Sequence, residues 1–149
     1  MIMQKQNNRA SCMLFSVAMC LNIPAYDLIG ELGHNGTEIL WDDREVPTCF
    51  RGFHESEMAW LCYIHGYSFT TFDLIAYTGH NEGDAKEIIL PYNLTFINNK
   101  IGVLKTSYHA VAWDGLNRKI YDPNGSIYPM GLDNQNIFIT FFHINNLNQ

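Results

Sequence analysis

Cys12, His109 and Asp122 are the residues whose types and order in this chain allow one particular chemistry, nucleophilic attack by a thiol. A cysteine nucleophile needs a base to take its proton, a group to orient that base, and donors for the oxyanion that forms. Those partners meet in space, so a lone cysteine with a distant histidine and Asp or Asn is the sequence form of that demand. Cys12 stands where a polar stretch gives way to Met13, Leu14, Phe15, Val17 and Ala18. A thiol at the mouth of a buried helix has two readings. It is either one more core side chain or a nucleophile whose thiolate the helix dipole favours.

His109 is the best placed of the six histidines. It opens "HAVAWDGLNRKIYDPNG", which reads as a β-hairpin turning at Asp114-Gly115-Leu116-Asn117. If Trp113 pairs with Arg118, His109 faces Asp122 directly, with Cβ atoms roughly 4.5–5.5 Å apart. If Asp114-Gly115 instead forms a two-residue turn, Trp113 pairs with Leu116 and His109 faces Ile120. Asp122 is then the diagonal neighbour on the same face, and only an odd shift of register would separate the two. The pairing is open to a purely structural reading as well, because Asp122-Pro123-Asn124-Gly125 is a strong turn sequence in its own right.

The elements that must position these residues fall into two blocks. Residues 10–21 are expected to form a helix with Leu14, Val17, Ala18 and Leu21 on its buried face, ending before Pro24. A short helix over 24–32 closes at Gly33, and a third over 55–65 ends at Gly66. Between them, residues 34–52 read as a long surface excursion. Segments 67–72, 87–90, 94–97, 101 onward, 109–113, 118–121 and 137–143 are strand-like, rich in aromatic and β-branched residues. Helices first and strands afterwards indicate one α+β domain across 1–149.

Composition bounds the partners. The chain has a net charge of -6 with only 9 Lys and Arg, which never cluster, so no nucleic acid partner is expected. No apolar run is long enough to cross a membrane, and the polar start lacks a signal-peptide core. A cytoplasmic protein with free thiols is therefore the expectation. The sequons at Asn35, Asn93 and Asn124 are then expected to be chance matches in an Asn-rich chain and not glycan sites. Cys49, His54, Cys62 and His65 match no familiar zinc spacing, and no metal or organic cofactor is expected.

Order and spacing together resemble the papain-like cysteine peptidases. "SCMLFS" over 11–16 is similar to the Ser-Cys-Trp-Ala-Phe-Ser stretch around that family's nucleophile, and "HAVAW" to the strand around its catalytic histidine. Gln6 lies six residues before Cys12, the spacing of the family's oxyanion-hole glutamine. The later pattern is closest to the compact bacterial branch that includes the bacteriocin-leader peptidases, in which Asp takes the third position. Arg9-Ala10-Ser11 stands where the family has Cys-Gly before the nucleophile.

The resemblance implies a helical lobe packed on a twisted antiparallel sheet, with the cleft between the Cys12 helix and the His109 strand. It implies that Cys12 is nucleophile, His109 base and then acid, Asp122 its orienter, and Gln6 an oxyanion donor, with Gln4 or Asn7 as substitutes. The reaction it implies is hydrolysis of a peptide or isopeptide bond in a protein or peptide substrate. Glutamine deamidation, amidase or transglutaminase-like transfer, and a silent binding module, are the alternatives on the same fold. Cys20, Cys49 and Cys62 are expected to be structural, and Trp41 to wall the cleft.

Overall fold

The computed structural model describes residues 1–40, 49–78, 86–89, 93–131, 133–134 and 137–148. Trp41 and His80, and the side chain of Cys49, lie outside the described residues. The chain is α+β. Helices α1 (Cys12–Leu21) and α2 (Ala25–Leu32) come first. A two-stranded ribbon of β1 (Ile39–Leu40) and β2 (Cys49–Phe50) follows, and then α3 (Glu55–Ile64). After them run β3 (Tyr67–Asp73), β4 (Ile75–Thr78), β5 (Lys86–Ile89) and α4 (Asn93–Ile97). The last five strands are β6 (Ile101–Lys105), β7 (Ala110–Asp114), β8 (Lys119–Tyr121), β9 (Ile127–Pro129) and β10 (Thr140–Asn146). Six strands form one antiparallel sheet in the order β3-β10-β6-β7-β8-β9, while β4 and β5 pair as a separate ribbon.

Alternation along the central strands explains why both faces of this sheet are covered. Val103, Ala110, Phe142 and Ile144 point to one side and pack with Leu14, Val17, Ala18 and Leu21 of α1, Leu28 of α2 and Leu61 of α3. Leu104, Val111, Trp113, Ile120 and Phe141 point to the other and pack with Leu74, Ile97 and Phe138. The first helix is buried nearly throughout because it lies between its two companion helices and the sheet. It stops at Asn22, which takes the left-handed conformation (φ 57°) and donates its N–H back to Met19. Among the described residues no single helix is long and apolar enough to cross a membrane.

Three local expectations are corrected. Residues 94–97 are helical, belonging to α4. The Ile97 carbonyl is taken by the Trp113 indole N–H (2.9 Å) and the Lys100 N–H (3.2 Å) rather than by a neighbouring strand. The last strand lies later than expected, at Thr140–Asn146, where it is paired on both sides.

The third correction concerns the hairpin, which adopts neither expected register, because Asp114 pairs with Lys119 across a loop of residues 115–118. The buried Asp114 carboxylate sets that loop. It accepts the N–H groups of Leu116 and Asn117 at 3.2 Å and the Asn117 side-chain amide at 2.9 Å. The register lies two residues beyond the first expectation, an even shift that keeps His109 and Asp122 on one face. Asp114→Ala leaves these donors unpaired beside a buried site and is expected to cost about 1–3 kcal/mol. A thermal melt checks this, with a midpoint several degrees lower.

Candidate active site

Cys12 is the first residue of α1, so its side chain stands at the helix N-terminus beside the Met13 N–H. Burial pushes its thiol up. The hydrogen bond from the His109 side chain, the Ala110 and Met13 N–H groups and the His109 charge pull it down, and together they prevail. For the other described thiols burial prevails, although Cys20 also has the Trp113 N–H as a partner. Cys62 is pushed up to about 12. Cys20 is raised further by burial and by Cys62, and its thiol donates to the Gly102 carbonyl at 3.1 Å. Of three described cysteines in one protein, only Cys12 is shifted toward thiolate.

His109 sits one residue before β7, at the end of a turn that fixes its backbone. Thr106 donates its N–H to the His109 carbonyl (2.8 Å), and the His109 N–H is donated to the Thr106 hydroxyl (3.0 Å). The ring Nε2 bonds Asp122 Oδ1 at 2.8 Å. A carboxylate only accepts, so Nε2 carries the proton and Nδ1 is the nitrogen left for the thiol. His109 is pushed up to about 9. The Cys12 hydrogen bond is the largest cause and outweighs partial burial, with the hydrogen bond and charge of Asp122 adding to it. Because the folded value lies above the ordinary one, the protonation of His109 contributes stability that is fully present below about pH 6.5. That contribution is lost as the pH rises through about 9.

Asp122 is held by the turn that follows it. Its N–H is donated to Ser126 and its carbonyl accepts from Gly125, both at 2.9 Å, so β8 turns into β9 over these residues. Its side chain is 7 % exposed, against 34 % for His109. Oδ1 also accepts the Asn124 N–H at 3.0 Å, and Oδ2 accepts the Tyr128 hydroxyl at 3.0 Å. The sequence reading missed Tyr128. Its signal was parity: it lies an even number of residues beyond Asp122 and Ser126, so a hairpin through that turn puts it on the Asp122 face.

The three candidate amides separate cleanly. Gln4 is committed to the α1–α2 connection, donating to the Ile23 carbonyl (2.8 Å) and accepting the Ala25 N–H (2.7 Å). Asn7 is exposed and bonded to the Tyr26 hydroxyl. Gln6 donates its backbone N–H to the Pro123 carbonyl at 2.8 Å, next to Asp122. Its side-chain Oε1 is buried without a partner among the described residues. Half a turn of that amide exchanges oxygen for NH2, so this orphaned position can present either an acceptor or a donor.

The segment entering Cys12 is packed from the other side by the excursion. A Cβ at Gly36 would stand 3.3 Å from the Ala10 carbonyl and 2.7 Å from the Phe53 ring, and its φ of +78° favours glycine. His34 stacks on Phe53 and bonds Glu57 at 2.6 Å, tying this corner to α3.

Cys62 is core and His65 pairs with Glu31. No group of three His, Cys, Asp or Glu among the described residues is arranged to hold a metal. No protein-family model matches the chain, and no curated protein or solved structure does so either.

Proposed function

We propose that the protein is a papain-like thiol hydrolase that cleaves a peptide or isopeptide bond in a protein or peptide substrate. The observation that carries this reading is the row Cys12–His109–Asp122, in which, among the described residues, the one thiol shifted toward thiolate meets the one imidazole held by a buried carboxylate.

The Cys12 thiolate attacks the carbonyl carbon, and the carbonyl π-electrons move to oxygen. The oxyanion takes hydrogen bonds from the Cys12 backbone N–H and the Gln6 amide. As the C–N bond breaks, the His109 imidazolium gives its proton to the departing amine and a Cys12 thioester remains. Water then attacks the thioester with His109 as base, releasing the carboxylic acid and restoring the thiolate–imidazolium pair. Asp122 keeps Nε2–H engaged throughout, so Nδ1 faces the sulfur in both half-reactions.

Mass spectrometry of a peptide library incubated with the protein tests the reaction class, with Cys12→Ala as control. Bond cleavage that the control lacks is the expected result. A mass shift at glutamine without cleavage would identify a deamidase instead, and unchanged peptides alongside a reactive Cys12 would identify a binding module.

A further inference from the structure

Asp122 has two oxygens, and only one faces His109. Oδ1 is shared between His109 Nε2–H and the Asn124 N–H, while the donor to Oδ2 is the Tyr128 hydroxyl. The Tyr128 ring is itself fixed. It packs against the cluster of Val111, Trp113 and Ile120, and its residue pairs with Ile120 across the β8–β9 ladder. That register puts Tyr128 diagonally across from Asp122 on the same face.

We propose that Tyr128 is a positioning residue of the site: its hydroxyl holds Asp122 by Oδ2 so that Oδ1 stays on His109. The inference rests on the reading of Cys12 and His109 as a reactive pair. A neutral hydroxyl suits the task, because it fixes the carboxylate without cancelling the charge that the imidazolium needs. A Lys or Arg in its place would compete with His109 for that charge. Burial and the Asp122 charge push Tyr128 up to about 12, so it remains a donor across the working range. The ionisable groups facing His109 are Cys12 from α1 and Asp122 from the β8–β9 turn, and Tyr128 acts on it through Asp122.

Without the hydroxyl, Oδ2 is an acceptor in a buried place with no donor. The carboxylate rotates to recover one, and Oδ1 leaves Nε2. His109 then titrates lower and Cys12 higher, so the window of thiolate beside imidazolium narrows from both ends. A purely electrostatic effect has the opposite sign at the upper end, since an unshared Asp122 charge would raise His109.

The test is the rate of iodoacetamide alkylation at Cys12 against pH, with an NMR titration of the His109 ring, in the wild type, Tyr128→Phe and the control Tyr26→Phe. Tyr128→Phe is expected to alkylate roughly three- to tenfold more slowly at pH 6, from a shift of about half to one unit. Tyr26→Phe should match the wild type. In Asp122→Asn, Tyr128 itself should titrate nearer the ordinary value of about 10. A low Cys12 limb that Tyr128→Phe leaves unmoved, or a His109 value that rises, overturns this inference alone. A wild-type Cys12 that behaves as an ordinary thiol overturns the reactive pair and the inference with it.

Discussion

His109→Ala is expected to move the ionisation of Cys12 to the ordinary thiol value or above it, and to remove catalysis almost entirely. Burial is the largest single influence on the Cys12 thiol, and it acts upward. His109 supplies two of the four opposing influences, its hydrogen bond and its charge, leaving only the Ala110 and Met13 N–H groups in the variant. The loss in turnover should reach roughly 10³- to 10⁴-fold, since one residue serves as base and as acid to the leaving group. Alkylation at neutral pH should fall in step. A variant that kept a low-pH thiolate would show that the helix N-terminus alone ionises Cys12, and that His109 is a bystander.

Asp122→Ala should have the next largest effect, and the contrast with Asp122→Asn separates geometry from charge. Alanine removes the acceptor of His109 Nε2–H and strands the Asn124 N–H and the Tyr128 hydroxyl around a buried gap. A loss on the order of 10²-fold or more in turnover is expected, with a lower melting temperature. Asparagine keeps an oxygen for Nε2–H but removes the charge that helps raise His109 to about 9. Its pH–rate profile should lose its alkaline side first, because the imidazolium deprotonates nearer its ordinary value of about 6.5. Equal losses in the two variants, with unchanged pH profiles, would show that Asp122 serves the turn and not His109.

What could be read from the sequence follows the reach of each signal. The buried face of α1 and the Gly33 and Gly66 stops of α2 and α3 are local patterns, and the structure has helices in those places. The shared face of His109 and Asp122 depended only on parity, which survives an even slip, so it held although both expected registers were two or more residues off. The register itself was hidden because the Asp114 carboxylate, not a Gly-based turn, sets the loop. Helix α4 was misread because β-branched Thr95 and Ile97 suggest a strand, while the Trp113 indole claims the Ile97 carbonyl from a distant part of the chain.

Gln6 is preferred over Gln4 and Asn7 in the sequence only by its spacing from Cys12, and the partners of the three are visible only in the structure. Nothing local in the sequence says that Gln4 bridges Ile23 and Ala25. Tyr128 was overlooked for a related reason. Its strand is three residues long and ends in Pro129, which reads as a turn rather than a ladder.

The most direct measurement is the alkylation rate of Cys12 in the unmutated protein across the pH range. The expected profile rises at a pH well below that of an ordinary thiol and changes again near 9, where His109 loses its proton. A single rise at or above the ordinary thiol value of about 8.5 would contradict the thiolate–imidazolium pair on which the proposed chemistry depends.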